Sequence, residues 1–347
     1  MTAGGPVEID GSHGEGGGQL LRTAVALSAI TRRPVRIRNI RGGRPNPGMQ
    51  AQHLKAVEAV ASLCDARLDG ARLNSKELLF EPRETSPRSL KIDIGTAGAV
   101  TLVLQALVLA AAKAEGTTMI ELVGGTHVSW SPPVDHFRDV FCVQLKKLGI
   151  DVSIKLHKHG FFPKGGGRIE TEIRGMKEWR PLDLPSPGQI HNVDVQSIAS
   201  LELSSARVAE RQADGFKSVI GRSVTERVKY VSSLSTGSAV SGLAVYDSTV
   251  LGGDALGKKG VRAEEVGKEA ASKLKAEIDS GAALDVHAAD MILPYLALAS
   301  GPSKFTVREM SEHLTSVQWL VKHFVDVEFG VEKDGGLYSI SVKPTGK

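Results

Sequence analysis

The chain has 347 residues, of which 41% are hydrophobic and 24% charged, with a net charge of +4. That is the make-up of an ordinary soluble protein with room for two domains. No apolar run is long enough to span a bilayer and no signal-peptide pattern opens the chain, so a cytoplasmic protein without a membrane partner is expected.

The first element is a strand, Val7–Ile9, which stops at Asp10-Gly11. A glycine cluster follows (Gly14, Gly16, Gly17, Gly18), and Gln19–Ile30 has apolar residues at helical spacing. Glycines where a strand hands over to a helix let backbone N–H groups approach an anion. Glu15 lies inside the cluster and Arg22 about one turn into the helix. Gln19 stands where a dinucleotide fingerprint needs its third glycine, so that reading is not supported.

Charge is unevenly spread. Between Gly16 and Val57 there is no Asp or Glu, while Arg22, Arg32, Arg33, Arg36, Arg38, Arg41, Arg44 and Lys55 all fall there. Such a field suits a polyanion, RNA or a nucleotide; a solvated basic face is the plain alternative. Arg41 and Arg44 bracket glycines and precede Pro45 and Pro47, so they sit on a stiff loop that presents guanidinium groups to phosphate at low entropic cost.

Val35–Ile40 reads as a strand, Arg41–Gly48 as the basic loop, Met49–Leu63 as a helix, and Ala66–Leu68 and Glu77–Glu81 as strands. The pattern then repeats. Leu90–Ile94 is a strand, Gly95–Gly98 a turn, Val100–Ala112 a very apolar helix, Thr117–Val123 a strand, Pro133–Leu148 a helix, and Val152–Leu156 and Arg168–Ile173 strands. Corresponding helices lie about 80 residues apart, too far for a solenoid, which points to duplicated α/β units.

A third copy follows at the C-terminal end: helix Ala288–Ala299, strand Lys304–Val307, helix Ser311–His323, and strands Val325–Phe329 and Leu337–Val342. Between copies two and three lies a different region with a polar helix Ser204–Val219, strands Arg227–Val231 and Ala239–Tyr246, and a charged helix Ala263–Ile278. Residues 184–279 are therefore expected to form an inserted small domain, with 1–183 and 280–347 making the large one.

Cys64 and Cys142 read as reduced core thiols, and the ten histidines include no HExxH spacing, so a zinc site is not expected. No GxSxG or Walker A sequence is present, against a serine hydrolase or a P-loop nucleotidase. His313 follows a plausible N-cap, Ser311, and so falls in the first turn of a helix. The positive end of the helix dipole keeps such a ring neutral, able to act as nucleophile or base. Asp290 interrupts an apolar helix and needs a partner: a ligand, or a neighbouring Arg or Lys. Gln105 interrupts another, TLVLQALVLA, and its amide needs partners too.

Five ordered stretches then resemble the RNA 3′-terminal phosphate cyclase family over essentially the whole chain. They are DGSHGEGGGQLLRT, IRGGRPNPGMQAQHL, GTAGAVTLVLQ, LPYLALASG, and the run His159–Ile169, which follows an HG-x-x-P-x-GGG signature. The resemblance implies an α/β fold of three βαβαββ units, similar to the C-terminal domain of translation initiation factor 3 and to the enolpyruvyl transferases, with a small inserted domain. It implies ATP-dependent conversion of an RNA 3′-phosphate to a 2′,3′-cyclic phosphate through a covalent histidine–AMP intermediate.

By motif position His313 resembles the nucleophile and Glu15 the ligand of a divalent ion, Mg²⁺ or Mn²⁺. Arg22, Arg41, Arg44 and Gln52 resemble the residues on the RNA phosphate. Gln105, Pro132, Pro133 and the run His287, Ala288, Ala289, Asp290, Met291 resemble the adenylate pocket. Four positions depart from the family pattern: His287, Met291, Ser316 and Val317. A related branch acts in ribosome assembly, without cyclase activity and without the histidine. Joint retention of His313, Arg22, Arg41 and Arg44 argues against that branch. An enolpyruvyl transferase shares only the fold. RNA 3′-phosphate ends and ATP are the expected partners, and oligomerisation is left open.

Overall fold

The computed structural model describes residues 5–346. The first unit comprises β1 (Val7–Asp10), α1 (Gly18–Thr31), β2 (Val35–Arg38), α2 (Ala51–Cys64), β3 (Arg67–Asp69) and β4 (Leu78–Glu81). β2 ends earlier than its apolar pattern suggests because Asn39 and Arg41 take left-handed backbone angles, with φ of 51° and 56°. The second unit comprises β5 (Ser89–Asp93), α3 (Val100–Ala111), β6 (Gly116–Gly124), a helical stretch, β7 (Asp151–Lys158) and β8 (Gly167–Gly175). The helical stretch runs unbroken over 134–147, within the helix expected over Pro133–Leu148, and a π segment Phe137–Phe141 lies inside it between α4 (Val134–His136) and α5 (Cys142–Lys147).

β9 (Asp183–Leu184) comes next, ahead of a run that forms its own layer: β10 (Ile190–Ser200), α6 (Val208–Ile220), β11 (Thr225–Val231), β12 (Ser238–Tyr246), β13 (Val250–Leu256) and α7 (Ala263–Ser280). The chain closes with α8 (Val286–Leu296), β14 (Ser303–Val307), α9 (Glu312–Val321), β15 (Val327–Asp334) and β16 (Leu337–Pro344). α6 starts four residues later than its polar pattern suggests. A 3₁₀ turn over Leu201–Leu203 and Arg207, at φ 49°, come before it. β10 and β13 escape a pattern search because polar residues and the Gly252-Gly253 pair dilute their apolar alternation.

Three of the four sheets share one topology. Their orders are β1-β2-β4-β3, β5-β6-β8-β7 and, read from the other edge, β9-β14-β16-β15. In each, the first two strands are parallel and the remaining pairings antiparallel. A parallel pair needs a crossover, and a helix supplies it in every unit. β9 pairs with β14, so the third unit's first strand precedes the extra layer and its helices follow that layer.

The outer sheet faces are wet, as the alternating burial of β5 and β7 shows, and the helices turn inward. α3 lies at the centre: eleven of its twelve residues are buried and Gln105 is the exception. A helix that is apolar all round can only sit inside. One continuous core joins the three units, and a second serves the β10–β13 sheet with α6 and α7. Gly267 lets those two helices touch, since a Cβ there would meet the Gln212 carbonyl oxygen at 1.9 Å. Among the described residues no helix is long and apolar enough to cross a membrane.

Candidate active site

α1 starts at Gly18, and the loop before it carries Glu15 between Gly14 and Gly16, both at positive φ. Those glycines are required by contact. A Cβ on Gly16 would lie 2.8 Å from the Gly43 nitrogen, so the glycine loop and the basic loop touch through backbone. A Cβ on Gly14 would lie 2.2 Å from the Ser316 hydroxyl, which brings α9 onto the same loop. Ser316 Oγ also accepts a 3.4 Å hydrogen bond from the Glu15 N–H.

Ser311 caps α9, accepting from the Leu314 N–H at 2.9 Å, and so fixes the turn that carries His313. His313 Nδ1 is 2.6 Å from Gln19 Oε1 and 2.6 Å from Glu15 Oε2. Both partners are acceptors, so Nδ1 carries the proton and Nε2 keeps its lone pair. The tautomer follows from the network rather than from a visible hydrogen. Burial lowers the His313 pKa; Asp290 opposes this, while the Arg22 and Arg44 charges reinforce it. The ring is therefore held neutral near pH 7. Arg44 pairs with the other oxygen of Glu15.

Arg22 is 6% exposed and donates to Gln105 Oε1 at 3.3 Å. Burial, then the nearby Arg41 charge, pulls its pKa down to about 10. Its Nε is buried without a hydrogen-bond partner among the described residues. Beneath it lies His53, pushed down to about 3 by burial and by Arg22 and Arg41. Gly18 makes room: a Cβ there would meet His53 Nε2 at 2.1 Å. A buried cation with unused donors, flanked by other cations, is an anion site by its chemistry.

Among the described residues neither Arg nor Lys bonds Asp290. The Ser311 hydroxyl donates to it, and burial raises its pKa to about 7. Pro294, inside α8, lacks the N–H that would bond the Asp290 carbonyl. A narrow cleft lined by Gln19, Thr23, Gln105, Asp290, Met291 and Tyr295 opens between α1, α3 and α8. The Tyr295 hydroxyl is buried without a partner among the described residues.

The remaining expected residues have contacts of their own. Arg41 Nη1 spends its donors on the carbonyls of Asn46 and Gly48, at 2.5 and 3.0 Å, and holds its own loop. Gln52 accepts from the Ala99 N–H at 2.9 Å, joining α2 to the start of α3. The Pro132 carbonyl accepts from Thr101 at 2.8 Å, and Pro133 precedes α4. His287, edge-on to His136 at 5.9 Å, and the capped Ala288 lie with Ala289 in the first turn of α8, outside the cleft lining. Sequence reasoning passed over Gln19, Thr23, Ser311 as the Asp290 partner, and Tyr295. No periodicity marks them, because their partners are up to 294 residues away.

Among the described residues no three His, Cys, Asp or Glu side chains cluster to hold a metal. Glu15 alone fits a hard divalent ion only where phosphate oxygens and water complete the shell, which is the usual habit of Mg²⁺.

The family model for RNA 3′-terminal phosphate cyclase matches residues 13–331. A protein of that name from Methanopyrus kandleri is 42% identical, over 98% of this chain and 99% of its own. Its namesake from Pyrococcus furiosus is 43% identical, over 93% and 94%. The namesake from Methanosarcina acetivorans is 40% identical, over 97% and 99%. Among solved structures, the enolpyruvyl transferase NikO from Streptomyces tendae overlaps 49% of this chain and 33% of its own, at 16% identity and a TM-score of 0.27, too remote to carry an argument. The match across nearly the full length, by family model and by relatives alike, makes this chain a member of the RNA 3′-terminal phosphate cyclase family.

Proposed function

We propose that this chain converts an RNA 3′-phosphate to a 2′,3′-cyclic phosphodiester at the expense of ATP, through AMP carried on His313. The observation that carries the reading is the Nδ1 of His313 held by Gln19 and Glu15, which leaves the Nε2 lone pair free. Nε2 attacks the α-phosphorus of ATP; the N–P bond forms as the bond to pyrophosphate breaks. An oxygen of the RNA 3′-phosphate then takes the AMP, and Nε2 recovers its lone pair. The adjacent 2′-hydroxyl attacks the activated phosphorus, loses its proton, and expels AMP as the ring closes.

Arg22 and Arg44 neutralise the anions that meet here, and Arg22 has donors to spare. Asp290, Gln105 and Tyr295 line the cleft for the adenylate, where the buried Tyr295 hydroxyl has no partner among the described residues. Glu15 would hold Mg²⁺ or Mn²⁺ together with the triphosphate, and that charge would ease departure of pyrophosphate. Glu15 must then exchange Arg44 for the ion, which frees Arg44 for the RNA phosphate.

Incubation with ATP labelled at the α-phosphate tests this. The expected result is a label on the protein that survives denaturation, is lost in acid, and passes to a 3′-phosphorylated RNA. No label under either metal would sink the proposal.

A further inference from the structure

We propose that Trp130 and Phe162 form a base-stacking platform for the RNA nucleotides that precede the terminal phosphate; this rests on the function proposed above. Both are out of place as ordinary surface residues. Trp130 is 95% exposed and Phe162 is 74% exposed, and they are the two aromatics among the exposed large apolar residues described. Bare aromatic surface on this scale is costly unless something covers it.

The two rings sit on neighbouring loops. Phe161 forms a parallel bridge to His127, and the N–H groups of Thr126 and His127 donate to the Gly160 carbonyl, at 2.9 and 3.1 Å. The signature glycines that form the Phe162 loop are consumed by packing. A Cβ on Gly160 would be 2.4 Å from the Gly167 nitrogen, and one on Gly165 would be 2.8 Å from the Ala97 Cα. The Lys164 N–H is tied to Ser235 Oγ at 3.0 Å. Within the signature loop, Phe162, Pro163 and Lys164 face solvent, and Arg168 follows them as a further exposed cation. Lys164 has no ion-pair partner among the described residues. The Trp130 loop is fixed as well, by Ser131 Oγ donating to the Val128 carbonyl at 3.1 Å and by the bond from Thr101 to Pro132.

Position points to RNA as the occupant. Thr101, which anchors the Trp130 loop, is one helical turn from Gln105, the partner of Arg22. One turn is about 5–6 Å of helix, close to the reach of one nucleotide. A strand whose terminal phosphate sat at Arg22 would reach the Trp130 loop along this turn of α3, and the Phe162 loop is bridged to the stretch before Trp130. Rigid exposed aromatics beside a free lysine are the recognition chemistry of single-stranded nucleic acid, and they stack on any base without reading sequence.

The test uses the full-length protein and a 3′-phosphorylated RNA of about eight nucleotides. Trp130→Ala and Phe162→Ala should each raise KM for that RNA about tenfold, the loss of one base stack. The expected kcat and the rate of self-adenylation by ATP are unchanged, and Trp130→Phe and Phe162→Tyr restore KM. A nucleoside 3′-phosphate, too short to reach the platform, should react equally in all variants. Binding of the same RNA with a 3′-hydroxyl, followed by tryptophan fluorescence, should be quenched in the parent and not in Trp130→Phe. That arm needs no activity, so a failure of the function proposed above does not mask it. Unchanged RNA affinity in the double alanine variant overturns the platform. Slower self-adenylation in these variants also overturns it, since the rings would then serve the ATP cleft.

Discussion

Of the histidines that face a carboxylate, His313 and His136 have opposite character. At His313 the side chain is 44% exposed and Glu15 is 13% exposed. At His136 both the ring and Asp285 are 2% exposed. His136 Nε2 lies 3.2 and 3.3 Å from the two Asp285 oxygens, which also take the N–H groups of Gly252 and Ala288, at 3.0 and 2.8 Å. That one carboxylate ties the second unit, the inserted sheet and α8 together. Burial works against protonation of His136, yet the charge and hydrogen bond of Asp285, helped by Asp254 and Glu277, raise its pKa. At His313 burial acts with Arg22 and Arg44, and the ring stays neutral. A carboxylate partner therefore does not decide what a histidine does; the charges behind the carboxylate do.

The largest expected effect is His313→Ala, which should reduce covalent AMP labelling to background while the unfolding midpoint stays near the parent's. His136→Ala should do the reverse. Removing one partner of a buried pair costs about 3–5 kcal/mol, read by urea unfolding, while self-adenylation at low temperature persists. The sign with pH follows from the shifts. The raised pKa of His136 gives stability that is complete below the ordinary histidine value and fades as pH rises through the folded value. The lowered pKa of Asp285 gives stability that fades in acid. The His136→Ala deficit should thus peak at roughly pH 5–6. A deficit equal at pH 5 and 9 would mean the pair is not ionic.

Asp290→Asn comes next. The carboxyl is raised to about 7, so its ionisation is penalised in the folded state as pH rises above about 4, and the penalty is complete above 7. The amide carries no such cost, so the variant's gain in stability over the parent should grow from about pH 4 and be full above about 7, on the order of 2–4 kcal/mol. The smallest effect expected is Arg44→Ala. Losing that charge lets the His313 pKa rise, so the acid limb of self-adenylation should move to higher pH. Use of the RNA phosphate should weaken more than self-adenylation does; an equal fall in both steps would remove Arg44 from the phosphate.

Much of this was legible in the sequence for a physical reason. Helical and strand periods, capping serines and glycine turns are local, so the three units, the Ser311 cap and the apolar α3 could be read from order alone. The glycine loop with Glu15 and the arginine-bearing loop were visible as composition. Tertiary contact decided the rest. Gln19 looked like a failed fingerprint position and instead holds His313, 294 residues away. Arg41 was visible as a loop cation, but not that its Nη1 donates to the carbonyls of its own loop. Asp290 called for a ligand or a cation, and order alone did not show that the Ser311 hydroxyl bonds it. Partners, burial and therefore charge state depend on which surfaces meet across the core, and no sequence period encodes that.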